Sequence, residues 1–191
     1  MSEMGTCEAR GKREYRIIIP LSDAERELVH SCDFQISNVL TPIIGALSLW
    51  EENLPEILPQ RRSATVQAQR CQERLHHEVN RLEQTLPALD QSTRPELKEF
   101  HRLMVSSLDF MKRLTRIANL AVEFMHTHQT ATFAEDDPAR GRLSAYMTGL
   151  QDTMQQFRSL MAKVDAHPVY QSYRAVTPED QRHHAPVVDP L

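Results

Sequence analysis

Three clusters of prolines and acids, around Pro55–Pro59, Pro87–Pro95 and Glu135–Pro138, divide this chain into four long stretches of helical period. A proline inside a helix removes a backbone donor and clashes with the preceding turn, so such clusters mark helix ends. Between them the apolar residues recur at steps of three and four, which places them on one helix face. Only 6% of the 191 residues are aromatic and five are glycine, so neither a β-rich core nor a phosphate-cradling loop is indicated. The pattern predicts an all-α fold. Short linkers between long helices favour an antiparallel up-down four-helix bundle.

Residues 1–20 read as a flexible leader with a short extended segment, Tyr15–Ile19, which Pro20 ends. Residues 21–166 read as the helical bundle domain. Its first helix opens on Ser22-Asp23-Ala24-Glu25, a capping box in which Ser22 and Glu25 satisfy each other's backbone donors. The stripe Leu28, Cys32, Ile36, Val39, Ile43, Leu47 and Trp50 follows, and Pro42 inside it is expected to kink the helix. The second helix is expected over about 60–85 with Ala68, Leu75, Val79, Leu82 and Leu86 as its seam, closed by Pro87. Thr93-Arg94-Pro95-Glu96 is a second capping box. It opens a third helix carrying Leu97, Phe100, Met104, Leu108, Met111, Leu114, Ala118, Ala121 and Met125. Asp137-Pro138 is a cap followed by a first-turn proline. The fourth helix carries Leu143, Tyr146, Leu150, Met154, Phe157, Met161 and Val164. From His167 to Leu191 four prolines interrupt a polar segment. It is expected to be an extended or disordered tail, dispensable for folding, with Tyr170 and Tyr173 as anchors for a protein partner.

A net charge of −4 without a basic block gives no nucleic-acid footprint. No stretch approaches the ~20 apolar residues of a membrane span. Cys7, Cys32 and Cys71 are odd in number and far apart, which points to reduced thiols and a cytoplasmic setting.

Two Glu-x-x-His motifs, Glu73…His76 and Glu123…His126, put a carboxylate and an imidazole on one helix face. Di-iron carboxylate bundles use two such motifs plus a glutamate from each remaining helix. The resemblance implies an iron, manganese or zinc site. It stops at the two motifs, because the fourth helix has no glutamate; solvated residues beside the core are the plain alternative, and no cofactor is expected. His77, His101 and His128 join His76 and His126 as further candidate ligands, and His101, beside Phe100, reads as flanking the core.

The segment Ile36–Gly45 resembles the phosphoacceptor helix of sensor histidine kinases, where His-Glu-x-x-Thr-Pro precedes an apolar run and a glycine. Aligned on Thr41-Pro42, Ser37 stands at the phosphorylated histidine and Asn38 at the acid. The likeness covers about ten residues and implies a degenerate dimerisation bundle in signalling. No Ser-His-Asp signature, Walker loop or zinc knuckle is present. The expected function is therefore a non-enzymatic interaction or regulatory module, with a protein partner or homo-oligomer.

Overall fold

The computed structural model describes residues 19–53, 58–127 and 138–182, and every regular element among them is an α-helix. They are α1 (Asp23–Asn53), α2 (Leu58–Asp90), α3 (Pro95–Thr127), α4 (Pro138–Ala166), α5 (Pro168–Val176) and the single turn α6 (Glu179–Arg182). The leader 1–18, the loop 128–137 with His128, and residues 183–191 lie outside the described residues. So do the side chains of Leu47, Trp50, Ala68 and Met125.

Helix starts follow local chemistry. The Ser22 N–H donates to Glu25 Oε2 at 2.8 Å and the Glu25 N–H to Ser22 Oγ at 3.2 Å, so the first capping box forms as read. α3 and α4 both begin on a proline, whose fixed φ suits the first helical position. Before α3, Ser92 supplies a side-chain acceptor for the Arg94 N–H at 3.2 Å, while the Arg94 carbonyl accepts from the Lys98 N–H.

Two prolines lie within helices. α1 continues through Pro42. α2 runs past the expected stop at Pro87 to Asp90, because Leu86 and Leu89 on either side of the proline are buried and hold the last turn on the core. Pro87 itself faces solvent, so its missing donor costs one bond without interrupting the packed face.

Most described members of the stripes read from the sequence form the core, joined by Val29, Leu89, Val122 and Met147; Leu28, Tyr146 and Met161 pack against it half-buried, and Leu143 stays outside it. α1 packs on α2, α2 on α3 and α3 on α4, each pair extensively. Polar and aromatic contacts also cross between successive helices. Ser31 meets Thr85, and Cys71 Sγ donates to the Pro42 carbonyl at 3.3 Å. Lys112 pairs with Glu83, and Phe124 stacks edge-on with Tyr146 at 6.2 Å. α1 and α4 scarcely touch. Instead α5 lies against α1, α3 and α4 at one end of the gap between them.

That placement corrects the expectation of an extended tail. Residues 168–176 form a helix with Val169, Tyr170, Ser172 and Tyr173 buried. The prolines bound this helix instead of breaking it. Pro168 occupies its first turn, and Pro178 lies just beyond the C-cap Thr177. The nine residues between carry one compact apolar face, too short to register as a period.

Candidate functional site

The junction of α1 and α5 gathers four polar side chains from two helices distant in sequence. His30 and Asp33 are three apart on α1 and so share a face; Tyr170 and Tyr173 are three apart on α5. The two pairs meet crosswise. The Tyr170 hydroxyl donates to Asp33 Oδ1 at 2.6 Å, and His30 Nδ1 lies 2.7 Å from the Tyr173 hydroxyl. The two phenol rings stand 5.9 Å apart, centroid to centroid. A third tie reaches the N-terminal side, where the Ile19 N–H donates to Ser172 Oγ at 2.6 Å. Arg174 lies over the Tyr170 ring at 5.8 Å and 3.9 Å from Asp165.

Electrostatics fix the protons at this junction. Burial raises the Asp33 carboxyl above its ordinary range, against the opposing pull of the Tyr170 hydrogen bond, His30, Arg182 and Arg174. Burial first, then the bond to Asp33, pushes the Tyr170 phenol well above the usual tyrosine range; Tyr173 rises as well, through burial and then the Asp33 charge. A donor that difficult to ionise keeps its proton. The Tyr170–Asp33 contact is therefore a clasp, and proton transfer from tyrosine to carboxylate is disfavoured. Cys32, next in sequence to Asp33 and fully buried, has its thiol pushed up to about 12 by burial and then by the Asp33 charge. It is a packed thiol without thiolate character at neutral pH. Burial likewise raises Cys71, which Arg74 opposes.

Beside the clasp a cleft of about 130 Å³ opens between α1 and α4. Ile36 and Leu40 form one wall, Met161 and Val164 the other, and Phe100 and Met104 of α3 the floor. Asp33 and Asp165 stand at its edge. Drug-sized ligands and cofactors usually fill ~300–1,000 Å³, whereas an apolar hole of about 150 Å³ holds one benzene. The cleft has room for one apolar side chain. A second, more open hollow of about 320 Å³ lies between Asp23, Glu27 and His30 of α1 and Tyr173, Thr177 and Gln181.

No protein-family model, curated protein or solved structure matches this chain.

The Glu-x-x-His residues sit elsewhere. Glu73 and His76 are exposed on α2, and Glu123 and His126 are exposed on α3. His76 Nε2 lies 3.4 Å from Asn119 Nδ2 across the α2–α3 pair. Among the described residues, no three His, Cys, Asp or Glu side chains are grouped so as to hold a metal ion. Ser37, at the phosphoacceptor position of the kinase-like segment, is exposed on α1 beside the cleft, and Asn38 is half-buried. His101 is half-buried, with Nδ1 3.7 Å from Asp90.

Tyr170 and Tyr173 are buried within the chain itself, 9% and 1% exposed, and hold α5 against α1. Sequence reasoning missed their partners, His30 and Asp33. The signal was available, since His30-x-x-Asp33 has the same helical spacing as the Glu-x-x-His motifs. The motif gains its meaning only from the helical α5, which brings Tyr170 and Tyr173 to it.

Proposed function

We propose that this chain is a non-enzymatic protein-interaction or regulatory module. In this reading its four long helices form an antiparallel up-down bundle working in the cytoplasm. One observation carries the proposal: the cleft between α1 and α4, apolar on walls and floor, sized for one side chain, with carboxylates at its edge. Its occupant is an amphipathic helix of a partner protein. That helix inserts one leucine, methionine or phenylalanine between Leu40 and Met161 and presents a lysine or arginine to Asp33 and Asp165. Helix-in-groove recognition uses apolar anchors at helical spacing in this way. Met104 and Met161 supply an adaptable lining that re-packs around different anchors. The raised carboxyl of Asp33 and the thiol state of Cys32 favour recognition over nucleophilic chemistry.

The test is selection of helical peptides on the full chain, followed by affinity measurement on the double variant Leu40→Glu/Met161→Glu. Both residues are only half-buried, so the variant should keep its helical content. Enriched peptides carrying an apolar anchor beside a basic residue, and binding at least about tenfold weaker to the variant, support the reading. Peptides that bind the variant equally well, or no enrichment at all, remove the cleft as the recognition site.

A further inference from the structure

The imidazole of His167 stands at the hinge between α4 and α5, and its two nitrogens have opposite surroundings. His167 is the N-cap of α5, with φ −69° and ψ 134°, the extended conformation that a following proline imposes. Its own N–H donates back to the Val164 carbonyl at 3.0 Å, and its carbonyl accepts from the Gln171 N–H at 3.0 Å. The ring nitrogen Nδ1 accepts from the Val169 N–H at 3.3 Å, satisfying one of the orphan donors of the first turn. Accepting at Nδ1 requires that the neutral ring carry its proton on Nε2. That atom is buried and has no hydrogen-bond partner. The nearest charged group is Glu99 of α3, with Oε2 3.9 Å away, while the Phe100 ring stands 5.6 Å from the imidazole centroid.

We propose that His167 is a pH-sensitive latch that holds α5 on the bundle while neutral and releases it when protonated. A second proton has only Nδ1 to occupy. There it meets the Val169 N–H donor to donor, so the cap bond is lost. The imidazolium then gains Glu99 as its counter-charge, which favours a ring position turned away from α5. The two protonation states thus select two arrangements of one side chain, one capping the helix and one paired with α3.

The sign of the effect follows from burial. Burial lowers the His167 imidazole below the ordinary histidine value, and Glu99 only partly opposes it. The neutral, docked state is favoured above the free-histidine value near pH ~6.5. The docked state loses ground as pH falls from there toward the lowered value, since the released ring binds the proton more readily. Other groups facing α5 bear on the same transition: His30 and Asp33 from α1, Glu99 from α3, Asp165 from α4, and Arg182 beyond the helix. The test must therefore separate His167 from them.

Hydrogen exchange of the α5 amides, corrected for the intrinsic pH dependence and referenced to the α3 core, provides that separation. Three forms of the full chain are compared between about pH 7.5 and about pH 5. The wild type should open α5 by about tenfold for each pKa unit that separates the released from the docked imidazole. His167→Asn keeps a side-chain oxygen at the cap and cannot titrate, so its α5 should show no such step. His167→Ala lacks the cap and should be open at both pH values, with α3 still protected. An equal step in wild type and His167→Asn would transfer the switch to His30 or Asp33 and overturn the proposal. So would an α5 whose exchange is independent of pH in the wild type.

Discussion

α3 and α5 are both amphipathic helices packed on the same core, yet they are held by different means. α3 buries Leu97, Phe100, Met104, Leu108, Met111, Leu114, Ala118 and Ala121 along 33 residues. Its contribution is apolar area summed over many turns, and no single partner is indispensable. α5 has nine residues and buries three large side chains, Val169, Tyr170 and Tyr173. Too short to be stable alone, it is fixed by specific ties: Tyr170 to Asp33, Tyr173 to His30, Ser172 to Ile19, and the His167 cap. A long helix can tolerate the loss of a polar contact. A short one depends on each.

The largest effect should come from the α3 side. Phe100 is 1% exposed and also floors the cleft and faces His167. Phe100→Ala should cost ~3–5 kcal/mol in urea denaturation. A loss below about 1 kcal/mol would show that α3 does not carry the core in the way its stripe implies. Next comes deletion of residues 168–191, which removes α5 whole. The midpoint should fall by roughly 6–12 °C, equivalent to about 3 kcal/mol for a domain of this size. An unchanged midpoint would return α5 to the status of a dispensable tail and erase the contrast between the two helices.

The ties within α5 should differ from one another. Tyr170→Phe leaves the mostly buried Asp33 carboxylate without its hydroxyl donor and should cost ~1–3 kcal/mol. Tyr173→Phe removes a bond from His30, which has further interactions, and should cost about 0.5–1.5 kcal/mol. Equal costs, measured by thermal melts of the two variants side by side, would mean that the shared ring packing dominates and the clasp adds little.

The same contrast explains what could be read from sequence. The α3 stripe repeats through more than eight turns, so its period stands out and every described member of it is buried. The first cap is legible because Ser22 and Glu25 are three residues apart, and local chemistry decides such contacts; before α3 the side-chain acceptor is Ser92, outside the Thr93–Glu96 box. α5 was illegible for two reasons. Nine residues hold too few repeats to define a period. Its stabilising partners also lie far away in sequence, with Tyr170 137 positions after Asp33. Its four surrounding prolines were counted as breakers, when two of them mark helix boundaries. α2 shows the converse: Pro87 looks like a stop, yet the burial of Leu89 two residues on outweighs a single missing donor.

The smallest expected effect tests what kind of tie the clasp is. Asp33→Asn keeps an oxygen to accept from Tyr170 and removes the buried charge. In the wild type burial raises the Asp33 carboxyl, so the folded state holds that proton more tightly than the unfolded chain does. The associated stability is fully present below about pH 3.9, the unfolded value, and is lost as pH rises through the raised folded value. At neutral pH the wild type therefore bears the cost of an ionised carboxylate beside Cys32, offset by Tyr170, His30, Arg174 and Arg182. The asparagine variant escapes that cost and also forgoes the attraction of those cations. The net change should be about 1 kcal/mol or less, in favour of the variant near neutrality. It should shrink as pH is lowered toward 4 in denaturation curves taken across the series. If the wild type instead gained on the variant as pH rose, the arginines would outweigh burial. α5 would then be held by charge, unlike α3, whose hold is mainly apolar.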